Sequence, residues 1–168
     1  MTIPNNTLSY RSIGLTDAKA IYDLAAKIWP EAFAQILTDQ QIEYMMKMMY
    51  ALPVLEKEIE RGVLYFIFYH KGKAVGYTAI EPKENNHFKL HKIYLSPSLQ
   101  GKGIGRFLLE EMEKKAKTLG AEKLFLNVNR FNKAIHFYQR HGYNILREED
   151  IDIGNGYFMN DYVMQKNL

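Results

Sequence analysis

Gln100-Gly101-Lys102-Gly103-Ile104-Gly105 decides the fold, because of what stands on either side of it. Before it, His87-Phe88-Lys89-Leu90-His91-Lys92-Ile93-Tyr94-Leu95 reads as a strand, and Ser96-Pro97-Ser98 breaks that strand. After it, apolar residues recur at Ile104, Leu108, Met112, Ala116 and Leu119, which is helical spacing. A glycine-rich turn therefore joins a strand to the N-terminus of a helix. The first amides of a helix have no internal partner, and the helix dipole adds partial positive charge there. Glycines let that backbone come close to a ligand. The chemistry expected at such a place is phosphate binding.

Three loop types share this physics. The dinucleotide fingerprint G-x-G-x-x-G fits Gly101 and Gly103, but Arg106 stands where the third glycine belongs. The triphosphate loop ends in G-K-[ST], a triplet that this chain lacks. The third pattern is [QR]-x-x-G-x-[GA], matched by Gln100, Gly103 and Gly105. Downstream, Lys123 to Val128 reads as a strand, followed by Asn129-Arg130-Phe131-Asn132 and a helix from 132 to 141. Along that helix Asn132, Phe137, Tyr138, Gly142 and Tyr143 match the signature N-x-x-A-x-x-F-Y-x-x-x-G-[FY], with Ala134 shifted to an N-x-A form. Two motifs in this order, separated by a helix and a strand, resemble the GNAT superfamily of N-acetyltransferases. Within it the chain is most similar to the bacterial small-amine and polyamine enzymes. The resemblance covers roughly residues 60 to 150 well and the N-terminal third loosely.

Composition narrows the remaining classes. A chain of 168 residues is expected to be one domain, spanning 1–168, with a core of its own. There are no cysteines, which excludes disulfides, thiolate metal sites and cysteine nucleophiles and suits a reducing cytoplasm, the expected location. Met1 to Asn6 carries no basic region followed by an apolar run, so no signal peptide is expected. No apolar run approaches the ~20 residues needed to cross a bilayer, so no membrane partner is expected. The net charge of +3 is small and the lysines and arginines are scattered among acids, so no nucleic-acid partner is expected. Lys102 and Arg106 add a modest local positive field that suits phosphates.

The order of elements gives an α/β (α+β) fold. Leu8 to Ile13 is a strand. Thr16 or Asp17 caps a helix with Ile21, Leu24, Ala25 and Ile28 on one face, ended by Trp29-Pro30. Thr38-Asp39 caps a second helix bearing Ile42, Met45, Met46 and Met49, and Leu55 to Arg61 adds another turn or two. Val63 to Tyr69 is aromatic and β-branched, hence a strand, and His70-Lys71-Gly72-Lys73 turns it into Ala74 to Ile80. Tyr143 to Glu148 and Tyr157 to Gln165 close the chain as strands around Gly154-Asn155-Gly156. Strands in a run followed by a β-α-β-α-β section imply a mixed, mostly antiparallel, twisted sheet of about six to seven strands with helices on both faces. The GNAT resemblance implies further that two neighbouring strands splay apart and that acetyl-CoA lies in the gap.

The resemblance also implies roles. The amides of Gly101, Lys102, Gly103, Ile104, Gly105 and Arg106, with Gln100 ahead of them, are expected to hold the pyrophosphate. Backbone groups of Ile93, Tyr94 and Leu95 are expected to bond the pantetheine arm and the acetyl oxygen. Asn132, Ala134, Phe137 and Tyr138 belong to the cofactor-binding signature, with Asn132 equally suited to cap its helix. Tyr138 stands where the family's general acid lies. His91 resembles the active-site histidines of arylalkylamine acetyltransferases, and imidazole can accept an amine proton directly or through water. Many relatives place a glutamate on this strand, and this one has none between His87 and Leu95. Trp29, Phe33, Tyr65, Tyr77 and Tyr157 are candidate acceptor walls, and core packing is the plainer reading of each. Glu31 and Glu81 are candidate carboxylates for an amine, and solvated surface charge is the plainer reading of both. The implied activity is transfer of an acetyl group from acetyl-CoA to a primary amine, with no metal and with direct attack, since no cysteine can carry the acetyl group. The acceptor class includes small amines and polyamines, amino acids and protein N-termini. A non-catalytic CoA-binding sensor on the same fold is the alternative, and a homodimer is a further option.

Overall fold

The computed structural model describes residues 7–168; Met1 to Asn6, read above for a targeting signal, lie outside the described residues. Strand β1 (Leu8–Ile13) leads into helices α1 (Ala18–Ala32), α2 (Asp39–Tyr50) and α3 (Leu52–Arg61). Strands β2 (Leu64–His70), β3 (Lys73–Pro82) and β4 (His87–Leu95) follow as a meander. Then come α4 (Ile104–Thr118), β5 (Lys123–Asn129), α5 (Ala134–Arg140), β6 (Asn144–Gly154) and β7 (Tyr157–Asn167). One seven-stranded sheet runs in the order β1-β2-β3-β4-β5-β7-β6. Every pairing is antiparallel except β4 with β5, which is parallel.

The sheet separates two cores. On one face α1, α2 and α3 bury Ile21, Ala25, Ile28, Trp29, Ile42, Met45 and Leu55 against Tyr65, Ile67, Tyr77 and Ala79. On the other, α4 and α5 bury Ile104, Leu108, Leu109, Met112 and Tyr138 against Phe66, Phe68, Ile80, Leu124, Leu126 and Val128. Each aliphatic or aromatic side chain fully buried in this way contributes about 1.5–3 kcal/mol of transfer free energy. Three of the four methionines of α2 serve the first core: Met45 is buried in it, and Met46 and Met49 pack against it.

Several boundaries differ from the sequence reading: α3 begins at Leu52 rather than Leu55, β3 and β7 run one to two residues longer, α5 is shorter at both ends, and α1 and β6 differ for physical reasons. Helix α1 does not stop at Trp29-Pro30 but carries Pro30 inside it and ends at Ala32. Pro30 is exposed and sits in the last turn, so its missing N–H frees one carbonyl that water can reach. Strand β6 continues past Glu148 to Gly154, through a run of mostly exposed charged residues, because backbone pairing to β7 carries it.

Gly76 on β3 faces the strand that matters most. A Cβ there would lie 2.6 Å from the carbonyl oxygen of Tyr94 and 3.3 Å from Leu108 Cδ2. Gly76→Ala is therefore expected to push β4 off β3 and to cost about 1–3 kcal/mol, as overpacking does. Thermal denaturation measures it, and an unchanged melting temperature would mean that the two strands part freely.

Candidate active site

Strands β4 and β5 pair only over His87↔Lys123, Phe88↔Leu124 and Lys89↔Phe125. Beyond Lys89 they part, leaving Ile93, Tyr94 and Leu95 without a partner on the β5 side while β3 still pairs the other side. The Tyr94 carbonyl lies against Gly76 and the Ser96 amide donates to Val75 O at 2.8 Å, so these groups point toward β3. By strand alternation the backbone groups of Ile93 and Leu95 point into the opening. Tyr94 contributes its ring there instead, packed on Trp29, Phe33 and Tyr77.

The glycine loop stands at the end of the same strand. Gly101 and Gly103 have φ of 78° and 85°, left-handed values that glycine adopts without strain. The Gln100 amide donates to Pro97 O and the Phe107 amide to Gly103 O, both at 3.2 Å. Among the described residues, the amides from Gly101 to Arg106 make no such turn or cap bond. No side chain caps α4 and no acid occupies its first turn. The set of free donors suits a phosphate, and Lys102 and Arg106 flank it, although Arg106 Nε is bonded to Glu110 at 2.6 Å. Gly105 sits under Phe137, whose ring carbons would be 3.8 and 3.9 Å from an added Cβ.

Helix α5 presents the second motif. Asn132 Oδ1 accepts from the Ala134 amide at 2.8 Å, one residue ahead of the Lys133 cap of α5, and its Nδ2 has no hydrogen bond among the described residues. Tyr138 is 7% exposed, packed edge-on to Phe137 and Tyr143, and its hydroxyl has no hydrogen-bond partner among the described residues. Burial raises its pKa, so the phenol stays protonated at any working pH.

His91 stands at a bulge. Ala79 pairs with Lys92 and Ile80 with Leu90, so His91 is the extra residue on β4. The bulge reverses the alternation: Phe88 and Leu90 face α4, whereas Lys92 and Tyr94 face the α1–α3 side. Lys92 is 3% exposed and bonded to Glu58 at 3.1 Å and to the Tyr65 hydroxyl, which pins the bulge to α3. His91 Nε2 lies 2.7 Å from Glu81 Oε2. Glu81 is not the surface charge expected from sequence: it is 7% exposed and also accepts from Lys83 and Arg61. Burial opposes its ionisation, but the bonds from Lys83, Arg61 and His91 outweigh that and hold its pKa at about 2. An ionised Glu81 can only accept, so His91 Nε2 carries the proton and Nδ1 is left as an acceptor. Burial lowers the His91 pKa to about 4, reinforced by Lys89 and Lys92 and only partly offset by Glu81.

A pH dependence follows. In the unfolded chain histidine titrates near ~6.5, so the unfolded state takes up a proton that the native state refuses until about pH 4. Stability is full above pH ~6.5 and falls as pH drops through that window. His91→Gln should flatten this part of the melting-temperature profile. An identical profile in the variant would mean that other groups set it.

Other expected residues fall outside the opening. Trp29, Tyr50 and Tyr77 form a buried hydrogen-bonded triad, with Trp29 Nε1 donating to both phenols at 3.0 and 3.1 Å. Tyr65 is buried beside Glu58 and Lys92. These three of the candidate walls are core. Phe33 backs Tyr94, Tyr157 packs on Tyr44 at the hairpin end, and Glu31 is exposed. Sequence reasoning missed Asn127, Glu149 and Asp161, which share the α1–α3 face beside the opening; Asn127 Nδ2 donates to Glu149 Oε2 at 3.0 Å and Asp161 Oδ2 at 3.3 Å. The available signal was an aspartate at an inward position, between Met159 and Val163 on an alternating strand.

Known proteins resemble this chain in sequence and fold. Residues 18–143 match the Acetyltransferase (GNAT) family. A spermidine N(1)-acetyltransferase of Thermoplasma acidophilum is 26% identical over 166 residues, covering 95% of this chain and 97% of that protein. The crystal structure of the PaiA N-acetyltransferase of the same organism, in complex with coenzyme A, superposes with a TM-score of 0.79 at 26% identity, covering 96% of this chain and 99% of that one. A GCN5-related N-acetyltransferase of Rhodopseudomonas palustris gives a TM-score of 0.82 at 21% identity, covering 100% and 99% of the two chains, and so shares the fold. Fold and opening define an enzyme that moves an acyl group from a coenzyme A thioester to nitrogen. The chain belongs to the GNAT family of acetyltransferases. Among the described residues no helix is long and apolar enough to cross a membrane.

Proposed function

We propose that the enzyme transfers the acetyl group of acetyl-CoA to a primary amine of a small molecule, a polyamine or another small amine, by direct attack in a ternary complex. The observation that carries this is the parting of β4 from β5 beside a helix N-terminus with free amides. The amides of Gly101 to Arg106 bind the pyrophosphate. The free backbone groups of Ile93 and Leu95 pair with the amides of the pantetheine arm as a neighbouring strand would. The Asn132 amide nitrogen, free of other hydrogen bonds among the described residues, bonds the same arm. The thioester then sits between the β4 edge and Tyr138.

The amine enters as its neutral fraction from the α1–α3 side. Its lone pair attacks the carbonyl carbon, the C–N bond forms, and the C–S bond breaks as the tetrahedral species collapses. The proton shed by nitrogen leaves through a hydrogen bond to His91 Nδ1 or a water held there, and on to solvent. With a pKa of about 4, His91 orients the amine rather than storing its proton. Tyr138 donates a hydrogen bond, then a proton, to the departing sulfur, and water restores it. The products are an N-acetyl amine and CoA.

A thermal-shift titration with acetyl-CoA, CoA, NAD and ATP tests the binding half of this reading. Stabilisation by acetyl-CoA and CoA alone is expected. Thiol release in an amine screen tests the other half. Stabilisation by NAD or ATP only, or by none, would overturn it.

A further inference from the structure

Asp161 stands on β7, opposite Asn129 of β5 and Glu149 of β6. It is 4% exposed, and its carboxylate receives one hydrogen bond, the 3.3 Å contact from Asn127. The same amide nitrogen holds Glu149, so a single neutral group keeps two carboxylates side by side. Glu149 is answered by Arg147 Nη2 at 2.8 Å. Asp161 forms no ion pair among the described residues. Arg130 is committed elsewhere, to Asp150 at 2.6 Å and to the backbone carbonyls of Glu149 and Asp161. Lys89, at the vertex of the opening, feels Glu81, Glu149 and Asp161 without bonding any of them. A buried carboxylate with no cation is costly, and burial accordingly raises its pKa.

A second observation points to what is missing. The hydroxyls of Tyr138 and Tyr94 also lack hydrogen-bond partners among the described residues. Tyr138 and Asp161 both act electrostatically on Tyr94, so both lie in the region of its phenol, beside the opening. That region has an acceptor without a cation and hydroxyls without partners. Ile153 and Met159, packed against the α1–α3 core, give it an apolar side.

We propose that Asp161, helped by Glu149 and positioned by Asn127, is the binding site for the non-reacting ammonium of a diamine or polyamine whose primary amine stands in the β4–β5 opening. This rests on the amine-acetylating reading above. Only β5 lies between β7 and the opening, and strands are about 4.8 Å apart. The held ammonium is thus one to two strand spacings from the reacting nitrogen, the reach of a short polymethylene chain. Methylenes between the two nitrogens lie on Ile153, Met159 and the Tyr94 ring.

The test compares wild type with Asp161→Asn, which keeps shape and removes charge, on a series of α,ω-diamines, spermidine, and monoamines of equal length. Thiol release gives kcat/KM, and thermal shift with each amine in the presence of CoA gives binding. Wild type should favour diamines over the matched monoamine by about ten-fold or more, and the variant should lose most of that ratio through KM. Glu149→Gln, with the same readouts, serves if Asp161→Asn fails to fold, and should lose a smaller part of the ratio. Turnover of amines with an unchanged ratio in the variants overturns this site and leaves the transferase reading standing. Diamine stabilisation that vanishes in the variant, without turnover of any amine, keeps the site and removes the transferase reading. Neither stabilisation nor turnover overturns both.

Discussion

Tyr138→Phe lowers turnover by about ten-fold or more and leaves acetyl-CoA affinity nearly unchanged; steady-state kinetics beside a CoA titration measures both. The ring of Tyr138 is locked by Phe137 and Tyr143, so phenylalanine keeps the packing and only the hydroxyl is lost. That hydroxyl has no partner to abandon among the described residues, so its removal leaves no stranded group behind. Charge gathers on sulfur only as the C–S bond breaks. The lost interaction is therefore made in the transition state, and kcat falls with kcat/KM while binding stays. A thiol leaves with a pKa near ~8.5, below that of the buried phenol, so the proton is shared during cleavage and replaced from water. Unchanged turnover in the variant would remove Tyr138 from the mechanism.

Gly103→Asp should abolish measurable binding of acetyl-CoA, read as the loss of CoA-dependent thermal stabilisation. Gly103 has φ of 85° at the start of α4, where a side chain costs about 1–2 kcal/mol of strain. More important, its Cβ would carry a carboxylate into the ring of amides meant for phosphate. Like charges at the positive end of a helix compete for the same donors. The apo protein should lose little more than the strain energy, because Gly101, Lys102 and Gly103 are exposed at the surface. Normal affinity in a folded Gly103→Asp would mean that the phosphates lie elsewhere.

The parts of the site that sequence revealed are those carried by local chemistry. The glycines that permit a left-handed loop, the apolar spacing of α4 and the Phe137-Tyr138 pair on α5 all act within a few residues of themselves. What stayed hidden depends on partners far along the chain. The bulge at His91 exists only relative to β3, and it decides that His91 and Lys92 share a face. Glu81 reads as a surface acid until Arg61, Lys83 and His91 are seen around it. Asp161 could be read as inward by strand parity, yet nothing local says that the side chain reaching it from β5 is Asn127 rather than a lysine. Pro30 reads as a stop, but one lost hydrogen bond on the wet side of the last turn does not end a helix. The charged residues from Arg147 to Asp152 hide an edge strand because pairing with β7 is a backbone matter.

The three residue pairs that join β4 to β5 divide the sheet into a four-stranded and a three-stranded part with a short hinge line between them. Beneath it, α4 and its core are the main tie, since Leu108 and Met112 share a cluster with Phe66 and Ile80 on one side and Leu124 and Met164 on the other. Cooperativity across that line is thus lent largely by one helix. A ligand that pairs with the open edge of β4 while its phosphates hold the first turn of α4 would act as an additional rung. Amide exchange should then slow in β5 and β7 as well as in β4 when the cofactor binds, and the two parts would open as one unit where they had opened as two.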